Sequence, residues 1–129
     1  MNLLLDTNSL VWASDERRKG SLGKQARRLI ENSQRVYMSP ISIAELEIKF
    51  ITGKFKKMPD VEAAVASGLI ILDFKTEHAK GISNFPSLIR HDPFDRMILA
   101  QAYAEQLILL SADETLLKLG LDYVVNARE

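Results

Sequence analysis

The sequence predicts an α/β fold in which a central parallel sheet of four or five strands carries helices on both faces. Two observations lead to this prediction. Short apolar runs suited to strands alternate along the chain with segments of helical periodicity. The first run, Leu3-Leu4-Leu5, is also continuously apolar, as expected for a strand buried on both faces of a parallel sheet.

The first half of the chain contains two predicted strands and three predicted helices. The strands are Asn2–Leu5, which delivers Asp6-Thr7-Asn8 at its carboxyl end, and Arg35–Met38. The spacing of apolar residues indicates helices at Ser9–Ser14, Lys24–Asn32 and Ile41–Ile51, with a solvated loop at Asp15–Gly20. The third helix follows the Ser39-Pro40 turn, and its stripe of Ile41, Ala44, Ile48 and Ile51 is expected to face the core, with Glu45 at the edge of that stripe.

The second half continues the alternation. Gly53 ends the third helix, Lys54–Lys57 forms a basic connector, and short helices are predicted at Asp60–Ser67, Thr76–Ile82 and Glu114–Leu119. Strands are predicted at Leu69–Leu72 and Leu107–Leu110, with a further edge strand at Asp122–Val125. A loop containing Pro86 spans Asn84–Arg90 and leads to the central helix.

The central helix runs on through Met97–Gln106 from the segment His91–Arg96. Proline suits the first helical position, so Asp92 is predicted as the N-cap, Pro93 as N1 and Asp95 as N3. On a helical wheel, Asp95 falls on the same face as the apolar residues Ile98, Leu99 and Ala102. Capping explains Asp92 and permits an acid at N3, but it does not require an acid on the inward face.

Bulk composition indicates one globular domain, residues 1–129, with 47% hydrophobic and 26% charged residues. A chain of this size buries roughly two thirds of its unfolded surface. The 17 basic and 17 acidic residues balance, so a polyanion would have to be bound by a local patch. Cysteine is absent, which excludes disulfides and thiolate chemistry. The N-terminal apolar run is too short for a signal peptide or a membrane span, so a soluble cytoplasmic protein is expected.

Four acids are predicted to converge at one edge of the sheet. Asp6 and Asp113 each follow directly after a predicted strand, and Glu45 and Asp95 lie in the first turns of helices. Open α/β sheets place their sites at the carboxyl ends of the strands. Each acid also has a local explanation: an Asx turn for Asp6, an N-cap for Asp113, and a Ser42-x-x-Glu45 capping box. One shared cause explains all four acids better than four separate ones.

Clustered carboxylates without cysteine or paired histidines indicate a hard divalent cation. Mg²⁺ and Mn²⁺ take oxygen ligands, and one or two such ions can promote hydrolysis of a nucleic-acid phosphodiester. The sequence contains no P-loop, no G-x-G-x-x-G and no G-x-S-x-G motif. The two histidines, His78 and His91, are not spaced as a metal pair and are expected to be surface or loop residues.

With these motifs the chain resembles the PIN-domain ribonucleases, and most closely the VapC toxins of bacterial and archaeal toxin–antitoxin pairs. The matching segments occur in family order and span nearly the whole chain: Leu4–Asn8, Ser39–Leu46, His91–Arg96 with Leu99–Ala102, and Leu110–Asp113. The resemblance implies a PIN-like fold. It also implies that Asp6, Glu45, Asp95 and Asp113 form an acidic metal site for Mg²⁺, with Mn²⁺ as a substitute.

The same resemblance implies further roles and partners. Asn8 and Ser111 would be polar neighbours that orient ligands or substrate, and Asp92 would shape the helix start or bind metal directly or through water. The implied activity is that of a metal-dependent endoribonuclease toxin, a homodimer neutralised by a small VapB-like antitoxin. The alternatives are a non-catalytic PIN-like module that binds RNA or protein and, among nucleases, a deoxyribonuclease or a processing enzyme.

Two surfaces are predicted for these partners. Basic residues are candidates for RNA phosphate contacts, although a solvated face explains any one of them: Arg17, Arg18, Lys19, Arg27, Arg28, Lys49, Lys54, Lys56 and Lys57. Arg96, beside the acids, could hold Asp92 or a substrate phosphate. The antitoxin is expected to place a basic side chain in the acidic site and an amphipathic segment on the outer side of the Ile41–Ile51 helix, at Leu46 and Phe50.

Overall fold

The computed structural model is an open, all-parallel sheet of five strands flanked by helices. It describes residues 1–15 and 17–129, apart from the side chain of Lys19, so the phosphate-contact prediction for Lys19 lies outside the described residues. The strands are β1 (Asn2–Leu5), β2 (Arg35–Met38), β3 (Ile70–Ile71), β4 (Ile108–Ser111) and β5 (Val124–Asn126). Their order in the sheet is β3-β2-β1-β4-β5. The predicted fold class and strand number are confirmed.

Seven α-helices connect these strands within the described part of the chain. They are α1 (Thr7–Ser14), α2 (Lys24–Asn32), α3 (Pro40–Ile51), α4 (Val61–Ala66), α5 (Thr76–Gly81), α6 (Pro93–Ala104) and α7 (Glu114–Lys118). Short 3₁₀ turns occur at Lys19–Ser21, Ile82–Asn84 and Pro86–Leu88, the last within the predicted Pro86 loop. Among these described residues, no helix is long and apolar enough to cross a bilayer.

The helices cover both faces of the sheet, and the strands contribute side chains to a separate hydrophobic core on each face. In β1, Leu3 and Leu5 pack in one hydrophobic cluster and Leu4 in the other. In β4, Leu110 joins the first cluster and Leu109 the second. Alternate strand residues point to opposite faces, so one core lies beneath α1–α4 and the other beneath α6 and α7. The leucines Leu3–Leu5 and Leu109–Leu110 are continuous along the chain because both faces of the sheet are covered by helices at these positions.

A buried polar bridge fixes α3 against the exits of β2 and β3. Gln101 of α6 is fully buried and accepts the hydroxyl proton of Ser39, the N-cap of α3, on Oε1 at 2.5 Å. Its Nε2 donates to the carbonyl oxygen of Leu72 at 3.1 Å. A buried amide must find partners for both ends, so this bridge holds three elements in one arrangement.

The predicted core-facing stripe of α3 is wrong. Ile48 is 50% exposed and Ile51 is 79% exposed, whereas Ser42, Glu45 and Leu46 are buried. The helix turns this more polar face inward because Ser42 and Glu45 meet the side chain of Thr7 beneath α3. Hydrophobic periodicity therefore assigned the wrong side of this helix, because here polar groups satisfy each other in the interior.

Candidate metal centre

The strand order brings Asp6 and Asp113 to the point where the connections diverge. From β1 the chain moves to β2 and β3, then returns across the sheet to β4 on the other side of β1. The backbone N–H of Asp6 donates to the carbonyl of Leu110 at 3.1 Å, which extends the pairing of β1 with β4 beyond the strand end. Sites in open α/β sheets form at such switch points, so both acids lie at the expected position.

Three of the aspartates also cap helices, as their local explanations predict. Asp6 accepts from the N–H of Ser9 at 2.9 Å, Asp92 from Phe94 at 2.8 Å, and Asp113 from Leu116 at 3.0 Å. In each case the accepting atom is Oδ1. Capping and a role in the site are compatible, because a carboxylate oxygen can accept from more than one donor and Oδ2 takes no part in the cap; Asp113 Oδ1, for example, both caps α7 and lies 3.4 Å from His91 Nε2.

A group of potential ligands at this edge contains His91, Asp95 and Asp113, whose ligand atoms all lie within 4.8 Å of one another. His91 Nε2 is 3.2 Å from Asp95 Oδ2 and 3.4 Å from Asp113 Oδ1. His91 lies in the loop before α6, as predicted, but its part in this group was missed. The clue in the sequence is its spacing, four residues before Asp95.

Glu45 lies beside this triad and is held by two partners. Thr7, the residue after Asp6, donates its hydroxyl to Glu45 Oε1 at 2.6 Å, and Lys49 Nζ is 2.8 Å from Oε2. The alternative explanation of Glu45, a capping box with Ser42, does not hold, because the N-cap of α3 is Ser39 and Ser42 lies 3.1 Å from the Thr7 hydroxyl. Thr7 and Lys49 thus orient both oxygens of the Glu45 carboxylate.

The electrostatics of the site are those of crowded carboxylates. Burial, together with the charges of Asp113, Asp92, Asp6 and Glu45, raises the pKa of Asp95 to about 8. Burial also raises the pKa of Asp6, an effect that hydrogen bonds from Ser111 and Ser9 partly oppose. All four predicted acids therefore belong to one electrostatic neighbourhood, in which Asp95 and Asp113 share the triad and Asp6 and Glu45 stand around it.

The other predicted site residues are placed with less detail. Asn8 is exposed on the first turn of α1, and Asp92 is exposed at the start of α6. Ser111 is fully buried, and its hydroxyl accepts from the N–H of Asp113 at 3.1 Å. Arg96 is partly buried, and its Nε is a buried atom without a hydrogen-bond partner among the described residues. Ser111 is therefore hydrogen-bonded to the backbone of Asp113, one of the four acids.

His78 was predicted on the surface or in a loop, and this is wrong. It is fully buried in α5, where Nδ1 accepts from the backbone N–H of Lys75 at 2.9 Å. Its Nε2 contacts Glu105 Oε1 at 2.8 Å, beside the carboxylate of Glu77. The side chain is buried because it joins the start of α5 to the end of α6.

The residues of the acidic site fit a divalent cation. Their donor set consists of carboxylate oxygens, which Mg²⁺ and Mn²⁺ accept, and one imidazole nitrogen, which is a ligand of first-row transition ions. The charge balance points the same way, because Asp95 ionises only with difficulty among its acidic neighbours. A bound dication would remove that penalty.

Comparisons with known proteins agree with this architecture. A family model described as PIN domain matches residues 3–121. A VapBC2 structure from Rickettsia felis, bound to a DNA fragment from its promoter, is similar, with 22% identity, a TM-score of 0.68 and 98% of each chain covered. A VapBC-1 structure from nontypeable Haemophilus influenzae is similar with 17% identity, a TM-score of 0.66 and 100% of each chain covered.

A more distant likeness joins the chain to VapC20 of Mycobacterium tuberculosis, described as a Sarcin-Ricin loop cleaving toxin. The identity is 16% and the TM-score 0.57, over 95% of this chain and 98% of that one. No curated protein gave a significant sequence match. At these identities the solved structures show a shared fold.

Proposed function

Because the chain belongs to the PIN-domain family, we propose that it is a divalent-metal-dependent endoribonuclease and the toxin of a type II toxin–antitoxin pair. The observation that carries the proposal is the crowding of acids around Asp95. A protein that only bound RNA would gain nothing from carboxylates that repel one another and the phosphate backbone. The likeness of the fold to VapBC complexes and to a Sarcin-Ricin loop cleaving toxin supports this proposal.

The metal would be held by carboxylates of Asp6, Glu45, Asp95 and Asp113. When bound, Mg²⁺ or Mn²⁺ supplies a water nucleophile of lowered pKa and stabilises charge on the phosphate. The chain's own residues prepare this site. Thr7 and Lys49 fix the Glu45 carboxylate, and helix capping fixes the side chains of Asp6 and Asp113.

Substrate binding requires a local positive surface, since the net charge is zero. Arg96 is the candidate nearest the acids in sequence, and we assign it the contact with a substrate phosphate. Exposed Arg27 and Arg28 on α2 are candidates for more distant contacts. RNA as the substrate implies that the protein acts in the cytoplasm.

The direct test is cleavage of a labelled single-stranded RNA by purified protein freed of metal. We expect no cleavage in EDTA, recovery on addition of Mg²⁺ or Mn²⁺, and no recovery for Glu45→Gln. A DNA oligonucleotide of the same sequence distinguishes a ribonuclease from a deoxyribonuclease. RNA binding without cleavage at any metal concentration would instead establish the non-catalytic module.

The antitoxin is expected to dock on α3, but the surface differs from the predicted one. Leu46 is only 2% exposed, so its place in the predicted surface is wrong: it packs in the core. The apolar side chains that α3 presents outward are Ile48, Phe50 and Ile51. They would bind the apolar face of an amphipathic antitoxin segment, whose basic side chain reaches the acids.

This docking surface is tested by Ile48→Glu with Ile51→Glu. The double variant should fold normally and escape neutralisation in a co-expression growth assay, while Val65→Glu, at an exposed apolar residue of α4, should remain neutralised. Full neutralisation of a folded Ile48→Glu, Ile51→Glu protein would exclude this surface. We also propose a homodimer, which light scattering of the purified toxin would establish.

A further inference from the structure

The position of the His91 ring nitrogen is unusual for a simple hydrogen bond. Two carboxylate oxygens approach the same atom, Nε2, from Asp95 at 3.2 Å and from Asp113 at 3.4 Å. The contact with Asp95 is a hydrogen bond, and because one ring nitrogen forms one well-aligned hydrogen bond, the contact with Asp113 is left without one. One nitrogen and two oxygens with lone pairs, grouped this closely, form an arrangement that can instead surround a cation.

The distances also suit a common coordination shell. In an octahedral shell with bonds of about 2.1 Å, neighbouring ligand atoms lie about 3 Å apart. The two distances measured from His91 Nε2 exceed this value by only a few tenths of an ångström. An ion could therefore bind above the triad with small side-chain movements.

We propose that His91 binds the divalent ion directly through Nε2, forming with Asp95 and Asp113 a mixed nitrogen and oxygen triad that favours a first-row transition ion over Mg²⁺. This inference rests on the metal dependence proposed above and adds a ligand and a metal preference to it. Imidazole is a ligand of transition ions, whereas Mg²⁺ prefers oxygen and keeps its waters.

The chain's other histidine shows why His91 is the suitable one. His78 also lies within 4.8 Å of two acids, Glu77 and Glu105. Its Nδ1 accepts a backbone N–H, which forces the proton onto Nε2 and removes the lone pair that a metal needs. Among the described residues, no N–H is directed at Nδ1 of His91, so that nitrogen can carry the proton and leave Nε2 free to ligate.

The test is pulsed electron paramagnetic resonance of the full-length protein loaded with Mn²⁺. A directly bound imidazole produces nitrogen modulation of the manganese signal, and incorporation of ¹⁵N-histidine changes its frequencies. We expect this modulation in the wild type and its loss in His91→Ala, which retains His78 as an internal control. The isotope experiment uses the unaltered chain, so it decides the question even if the variant folds poorly.

Calorimetric titration provides a second readout. His91→Ala should weaken Mn²⁺ binding by about tenfold or more and change Mg²⁺ binding by less than about twofold. Mn²⁺ that binds to the wild type without nitrogen modulation would overturn the role of His91 and leave metal-dependent cleavage standing. A wild-type protein that binds neither Mn²⁺ nor Mg²⁺ would overturn both proposals.

Discussion

The carboxylates of Glu45 and Asp95, on two sides of the acidic site, have different surroundings. Glu45 has a partner for each oxygen, the hydroxyl of Thr7 and the ammonium of Lys49. Asp95 has the His91 ring on one oxygen and is otherwise surrounded by acids that raise its pKa to about 8. Repulsion among the carboxylates therefore acts strongly on Asp95, while the two partners of Glu45 fix its carboxylate in place.

This difference separates two tasks that one metal site has to perform. A pre-oriented ligand needs fixed hydrogen-bond partners, which Glu45 has. A bound cation cancels the repulsion between carboxylates, and this adds to the free energy of metal binding. Among these ligands, Asp95 provides such a contribution because acids surround it. The predictions below test each side separately.

The largest expected effect on stability is a dependence on pH of the metal-free protein. The folded-state pKa of Asp95 lies above the ordinary value near 4, so its contribution to stability is complete below that value and is lost as the pH rises through about 8. The loss is on the order of 2 kcal/mol after allowance for the part of the side chain that solvent screens.

Urea unfolding in EDTA across this pH range measures the effect. The slope should become smaller in Asp95→Asn and on addition of Mn²⁺, and it should persist unchanged in Asp60→Asn, a helix cap outside the site. A wild-type protein whose free energy of unfolding is constant between pH 5 and 8.5 would show that the pKa of Asp95 is not raised by folding.

On the other side of the site, Thr7→Val should destabilise the protein by about 1.5–3 kcal/mol, because it leaves Oε1 of a buried carboxylate without its donor. Thr7→Ser retains the hydroxyl and is the matched control. Chemical denaturation of both variants at pH 7 gives the comparison. Equal losses for Val and Ser would mean that packing, and not the hydrogen bond, matters at this position.

The smallest expected effect is that of Lys49→Met. Lys49 is about one-third exposed, so solvent screens its pairing with Glu45 and the expected loss is about 1 kcal/mol or less. Lys56→Met, on the exposed connector, should cost less still. If both methionine variants unfold at the same denaturant concentration, the ion pair contributes nothing and Thr7 alone holds Glu45.

Apolar patterns were sufficient to predict the framework of the fold. The limits of β1, β2 and α2 match the prediction residue for residue, because these segments are bounded by polar or turn residues and follow one periodicity throughout. The start of α6 was predicted equally well, since an N-cap aspartate followed by proline is a local signal.

The errors arose where tertiary contacts override local pattern. The face of α3 was inverted because Ser42 and Glu45 are buried with Thr7, a residue far away in sequence. The burial of His78 likewise depends on Glu105, a distant partner that local apolar periodicity does not identify. The placement of the acids at strand ends could be predicted because topology decides it, whereas the arrangement around each acid could not.

Asp95 combines a raised pKa with a proposed role as a metal ligand in RNA cleavage. Asp95→Asn removes one ligand and one repelling charge together. Thermal melts with and without Mn²⁺, run beside an RNA cleavage assay, test this variant directly. We predict that cleavage is lost, that Mn²⁺ stabilises the variant less than the wild type, and that the metal-free variant is at least as stable as the wild type. Cleavage retained with a loss of about 1 kcal/mol of stability would contradict the claim and leave Asp95 a capping residue.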